Sequence, residues 1–514
     1  SRQYIVRAAA ALLGALAVLG GWALVQNTLL RDVYGARAHH PLPNANDLAA
    51  LLNLGLFPVL AFLLGRRERG LLFYAAAAAA VLMFGGLLAT QSRSGLLFSL
   101  AALAVLFTVL RPALKTGAAV LGAGAVIFAL VLFENGGKFA ARLAQVAAPS
   151  HDPNILSRFS LWESTLRMMR DHPWGGTGLG TFYLYYPRYR APLVENSAGF
   201  WAHNDPLQFG AEAGIAATVI FYVFLAAVLW RTVSALRGSG KGSEDRAAVA
   251  GFFCALLTLA LHAHAGFPLY IMPVLIVAGV WLAAWHNFTA ACRSGRGGGY
   301  VALDTARWQQ PILALCVAGI AGLAALMAGS SAAGQYYLLR ATNDIKHAQV
   351  TWFLDNIGRA ERWAPPAFID PEVQLAGFYI DTIGAVTILF PAEEKEKMFA
   401  DGMALLALAE SMNPAWAEID YKRGKLFETA KDAEGAAASW RAALAKNPMH
   451  VRARAALARA LIGQGRPAEA YDLLAAGLNY PHEAEITLEY GALMKNIESV
   501  AAMQKSFLQK DERQ

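Results

Sequence analysis

"HNDPLQFGAEAGIAATVIFYVFLAAVLWRTVSALRGSGKGSEDR", residues 203–246, decides the fold. It opens on three polar residues, His203, Asn204 and Asp205. An apolar run follows from Pro206 to about Trp230, and basic residues begin at Arg231. A helix needs about 20 apolar residues to cross the hydrocarbon core, and Lys and Arg collect in cytoplasmic loops. The stretch therefore reads as a membrane span, 206–230, with a polar mouth at one end and a basic anchor at the other.

Eight further stretches read the same way, at about 4–25, 46–64, 71–90, 95–110, 117–133, 247–264, 270–286 and 310–330, giving nine spans. The composition agrees: of 514 residues, 56% are hydrophobic and only 16% charged, against about 25% charged in soluble domains. The basic loops "RRERG" (66–70), "RPALK" (111–115), 231–246 and "CRSGRGGG" (292–299) alternate along the chain, and the start "SRQYIVR" falls on their side. That side is expected to be cytoplasmic. The opposite, non-cytoplasmic side then receives the long segment 134–205 and everything after about 331. The net charge of +7 is thus topogenic, and no basic patch interleaved with aromatics points to nucleic acid. Three cysteines, Cys254, Cys292 and Cys316, have neither metal-ligand nor disulfide-framework spacing. The chain starts on Ser1 with an apolar stretch close behind, which we read as a truncated start with earlier spans ahead of it.

The last third differs in kind. "NPAWAEIDYKRGKLFETAKDAEGAAASWRAALAK" (413–446) is followed by "NPMHVRARAALARALIGQGRPAEAYDLLAAGLNY" (447–480), a repeat of period 34. Gly424, Ala436, Trp440, Ala443 and Pro448 fall where tetratricopeptide repeats alternate small and bulky residues, as do Leu457, Ala458 and Ala470, with Gly477 in place of the second alanine. Residues 341–412 read as helical too, "RAERWAPP" (359–366) resembling a degenerate repeat end. The expected fold is all-α: a polytopic helix bundle over 1–330, then a solenoid of repeats over 331–514. Stacked repeats make a concave surface for a protein partner.

Three polar clusters are expected on the non-cytoplasmic face. "TQSRSG" (90–95) places Arg93 between two apolar runs. Such an arginine can snorkel to headgroups, but an ionisable group at a membrane boundary is also a site candidate. Within 134–205, a helix over about 155–171 puts Arg158, Trp162 and Thr165 on one face, and Arg188 and Arg190 add charge. "GGTGLGTF" (175–182) lacks the Lys-Ser/Thr ending of a phosphate loop and reads as tight turning after Pro173. The third cluster is the mouth at 203–205. His203 can exchange a proton near neutral pH, with Asp205 and Glu212 as partners in sequence. Neither Asp-x-Asp nor His-x-x-x-His occurs, so no metal is expected. Arginine forks bind phosphate bidentately, so a diphosphate held by arginines beside a histidine base is a workable metal-free glycosyl-transfer site.

Taken together, "RFSLWESTLRMMRDHPWGGTGLGTF" (158–182) and "HNDPLQFGAEAG" (203–214) resemble the O-antigen ligase and polymerase family of bacterial membrane glycosyltransferases, which includes protein O-oligosaccharyltransferases. The matching positions are Arg158, Trp162, Asp171, His172, Pro173, Gly178, Gly180, Phe182, His203, Asn204, Leu207, Gln208, Glu212 and Gly214, with "PLPNANDLAALL" (41–52) similar to the family's entry to a span. The resemblance covers about residues 26–290. It implies an inner-membrane enzyme that takes a glycan from undecaprenyl diphosphate at the periplasmic face and inverts the anomeric carbon, with no cofactor. Arg93 and Arg158 would hold the diphosphate, and His203 would activate the acceptor hydroxyl. Arg188, Arg190, Asn204 and Gln208 would contact substrate. The acceptor stays open between a second glycan, a lipid A core and a protein hydroxyl. Two other classes compete: a membrane-anchored repeat scaffold of the envelope, and a glycan transporter. A scaffold would tolerate alanine at Arg93 and His203. A transporter would show broken helices at mid-membrane in repeated halves, and no internal repeat is visible among the spans.

Overall fold

The computed structural model describes residues 2–66, 69–134, 139–140, 153–191, 199–239, 244–294, 309–364, 369–385, 391–480, 488 and 490–499. Among these there is no strand. Numbering the longer helices in chain order, α1 is Arg2–Thr28, α2 Ala45–Gly65, α3 Leu71–Ala89, α4 Arg93–Leu110, α5 Leu114–Glu134, α6 Pro153–Asp171, α7 Asp205–Ala213, α8 Ile215–Gly238, α9 Glu244–Ala263 and α10 Met272–Ser294. Then follow α11 Gln309–Lys346, α12 Val350–Trp363, α13 Asp370–Ala385, α14 Ala392–Met412, α15 Ala417–Thr429, α16 Ala433–Lys446, α17 Val451–Gly463 and α18 Pro467–Gly477.

Eight helices among the described residues, α1–α5 and α8–α10, are long and apolar enough to cross a membrane. The ninth expected span, 310–330, lies within α11, where many side chains fall outside the described ones. One expected span is corrected. The run 206–230 is not a single helix: α7 ends at Ala213, Gly214 takes φ 86°, and α8 starts afresh at Ile215. Hydropathy runs smoothly across this point, but the backbone does not.

The chain forms two compact units, residues 1–182 with 197–303, and residues 183–196 with 304–514. In the first, α2 is the central helix. It is apolar all round and buried along most of its length, as expected of a helix inside a bundle. It packs on α9, α3 and α4. The α1–α3 crossing is a backbone contact: a Cβ on Gly86 would meet the Gly20 carbonyl oxygen at 2.6 Å. Small residues permit such approach where lipid supplies no hydrophobic drive between helices.

In the second unit α15–α18 form two helical hairpins over the repeats read from the sequence. Ala436, Trp440 and Ala443 are buried, and Gly424 lies under the Trp440 indole, where a Cβ would collide with Nε1. The departure at Gly477 has a physical cause. Its missing side chain makes room for the buried Arg454, whose Cδ stands 2.5 Å from where a Cβ would be, and for Tyr490 at 2.7 Å.

Candidate functional site around His203

His203 precedes α7 and is held from both sides. Trp162 Nε1 of α6 donates to the Ala202 carbonyl at 3.1 Å, and the Ala202 N–H donates to Gln208 Oε1 at 2.9 Å. Asn204 is the N-cap of α7, its Oδ1 accepting from Leu207 N–H at 3.2 Å. Asn caps because its side-chain oxygen meets an N–H that has no helical partner. Between these fixed points His203 takes φ 52°, left-handed and uncommon outside glycine. Asn204 and Gln208, expected to contact substrate, are thus engaged within the fold around His203.

The imidazole is partly buried, and its Nδ1 has no hydrogen-bond partner among the described residues. Its ring meets Phe267 edge-on at 5.2 Å, and Phe267 stacks on Trp201 at 5.0 Å. Burial, and then the positive charge of Arg158, push its pKa down to about 4. The ring is therefore neutral at physiological pH.

Asp205 and Glu212 are not the partners of His203 expected from the sequence. Asp205 Oδ2 accepts from Leu269 N–H at 3.0 Å. Burial raises its carboxyl pKa well above the ordinary value, against the Leu269 bond and with the nearby charges of Asp47 and Glu212 adding to the rise. Glu212 is 1% exposed and ties three segments together. Its Oε1 accepts from Phe182 N–H at 3.1 Å and Gln208 Nε2 at 3.2 Å, and its Oε2 from the Tyr270 hydroxyl at 2.8 Å. The pairings with Phe182 and Tyr270 are long-range and carry no sequence signal.

The glycine-rich segment completes the junction. Thr177 and Gly178 N–H donate to the carbonyls of Ala211 and Glu212 at 2.9 and 2.8 Å. A Cβ on Gly214 would collide with the Trp174 carbonyl oxygen. The segment 174–182 is thus a plug docked on the end of α7, with these N–H groups turned to the protein. Tight turning is its use.

Arg158 lies on α6, close enough for its charge to act on both His203 and His262. Arg93 starts α4, and its neighbour Ser94 reaches His262 Nε2 at 3.4 Å. Ser94, the neighbour of Arg93, and Arg158 thus both bear on one buried histidine, His262, which sequence reading passes over because it lies inside an apolar run. Arg188 and Arg190 fall in the second unit, Arg188 exposed and Arg190 partly buried. No group of three or more His, Cys, Asp or Glu that could hold a metal ion occurs among the described residues. A cleft of about 210 Å³ lies in the second unit, lined by Tyr183, Pro187, Trp416, Glu418 and His450 among others.

Comparison with known proteins bears on these features. The model of the O-antigen ligase family matches residues 78–222, and that of the tetratricopeptide repeat matches residues 429–490. No curated protein matches the chain. Among solved structures, a thermophilic TPR protein of Thermus thermophilus is 22% identical over 31% of this chain and 81% of its own, with a TM-score of 0.28. The first match takes in Arg93, Arg158, Glu212 and His203, and supports a membrane glycosyltransferase of the O-antigen ligase or polymerase type in general. The chain is a multi-pass membrane protein in which a region matched by the O-antigen ligase family model is followed by one matched by the tetratricopeptide-repeat model, the combination its sequence resembles.

Proposed function

We propose that the protein is an inverting, metal-independent glycosyltransferase of the bacterial inner membrane. It moves or polymerises a glycan from undecaprenyl diphosphate onto an acceptor hydroxyl at the periplasmic face, building a surface polysaccharide. The observation that carries this reading is the neutral, partly buried imidazole of His203, with a bare Nδ1, in the field of Arg158 and inside the matched region. The acceptor oxygen attacks the anomeric carbon and its proton passes to His203. The bond from that carbon to phosphate oxygen breaks with inversion, and the electron pair leaves on the lipid diphosphate. Arg93 and Arg158 hold that diphosphate and take up its growing charge.

A base with a pKa of about 4 is weak in the free enzyme. The donor offsets part of this. Burial, the larger cause of the depression, remains, but a diphosphate on Arg158 offsets the guanidinium charge that adds to it, so basicity rises when the donor is bound. The repeats favour one variant of this reading, in which a protein held on their surface supplies the hydroxyl.

The test is glycan transfer in a strain lacking the gene, complemented with full-length protein carrying His203→Asn, with membrane levels measured. Loss of long glycan chains at normal protein level is expected, and the accumulating species names the acceptor class. Undiminished transfer would remove His203 from the chemistry and favour a scaffold.

A further inference from the structure

A polar chain in the first unit runs between residues that the transfer step leaves unused. Arg37 Nη2 donates to Asn46 Oδ1 at 3.3 Å. A guanidinium only donates, so that atom is the amide oxygen. Ser92 Oγ gives its proton to the same oxygen at 2.8 Å. With that proton used, Ser92 Oγ accepts from Gly95 N–H at 3.1 Å and from Ser94 Oγ at 3.3 Å. Ser94 has then spent its own proton, and toward His262 Nε2, 3.4 Å away, it can only accept. With both serine contacts made as hydrogen bonds, His262 is the Nε2–H tautomer, and Nδ1 carries a bare lone pair.

That lone pair is buried. His262 is 1% exposed, and Nδ1 has no partner among the described residues. A buried acceptor left unmet is costly, and such an atom calls for an explanation. Its surroundings supply one. Phe98 packs edge-on against the ring at 5.6 Å, Arg158 acts on it as on His203, and the relay passes through the neighbours of Arg93. The ionised oxygens of a diphosphate carry no proton and would repel the lone pair. A hydroxyl fits it.

We infer that His262 is a second histidine of the transfer site, whose Nδ1 accepts a hydrogen bond from a sugar hydroxyl of the donor glycan or the acceptor glycan. The inference rests on the proposed glycosyl transfer. It makes His262 a substrate-binding residue, distinct in role from His203: it recognises a hydroxyl and leaves that proton in place.

The test uses purified full-length protein, with lipid-linked glycan extracted from the deletion strain as donor and an acceptor extract from the same membranes. Donor is varied at fixed acceptor, then acceptor at fixed donor. His262→Gln can still reach Ser94 but offers nothing at the Nδ1 position. It is expected to raise KM for one substrate about tenfold with kcat within about twofold, the pattern of lost uniform binding. His262→Asn keeps an amide oxygen near Nδ1 and is expected to stay within about threefold of the parent KM. The substrate whose KM rises identifies the source of the hydroxyl. Parent-like KM values for His262→Gln in both titrations overturn the inference. So do equal losses in His262→Gln, His262→Asn and Ser94→Ala with a lowered melting temperature, which would mark a purely structural bridge. If the parent protein itself transfers no glycan, the proposed function falls first and this inference with it.

Discussion

At the scale of the residue, His203 joins an unusual backbone to an unusual protonation state. The depression of its pKa to about 4 means that the free enzyme keeps a neutral imidazole well below pH 6. The acid limb of kcat/KM reports the free enzyme and is expected near pH 4. The limb of kcat reports the donor complex, where the diphosphate offsets Arg158, and it is expected at higher pH. Superimposed limbs, measured as full pH profiles on the purified protein, would refute this tuning. The choice of variant follows from φ 52°. Asparagine tolerates the left-handed region, so His203→Asn removes the imidazole and keeps the backbone. His203→Val adds a β-branched strain and is expected to lower membrane abundance as well as transfer, a difference that immunoblotting resolves.

At the scale of the element, the site is a junction where the 174–182 plug, α7 and the turn at 268–270 meet on Glu212. Glu212→Ala leaves three donors without their acceptor, at about 1–3 kcal/mol for each buried group. Tyr270→Phe removes the hydroxyl but keeps the other donors to Glu212, and is expected to cost about 1–2 kcal/mol. Thermal unfolding in detergent should therefore rank parent above Tyr270→Phe above Glu212→Ala, and any other order contradicts the junction. Gly214→Ala should also lower the melting temperature, since φ 86° with ψ 167° lies where only glycine is at ease, at about 1–3 kcal/mol, and the Trp174 carbonyl blocks a Cβ. The sequence makes some of this legible and hides the rest for definite reasons. Apolar length reveals the spans, and the residue types at 203–208 reveal a polar mouth. The break at Gly214 is invisible to hydropathy. The partners of Glu212 lie 30 and 58 residues away in the chain, so no local pattern announces them. His262 hides inside a span because its polar partner, Ser94, stands on another helix.

At the scale of the whole molecule, the two units hold themselves together differently. The first relies on close helix contacts such as Gly20 against Gly86. The second relies on nearest-neighbour packing of hairpins, so damage spreads along the stack. Trp440→Ala removes the indole that fills the first repeat, at about 3–5 kcal/mol. Limited proteolysis of the full-length protein is expected to cut within residues 413–480 far faster than in the parent, while cleavage within α2 and α9 is unchanged. Equal cutting rates in the repeats would count against this packing. The second unit is also stitched from two distant pieces of chain, since 183–196 belongs with 304–514 and Tyr183, Leu184 and Pro187 line the cleft against Trp416 and His450. The gene is therefore less modular than its two family matches imply. A repeat region grafted from a relative would arrive without its own short strip from far upstream. Successful chimaeras should need both pieces exchanged together, and substitutions on the two sides of that cleft should be inherited as pairs.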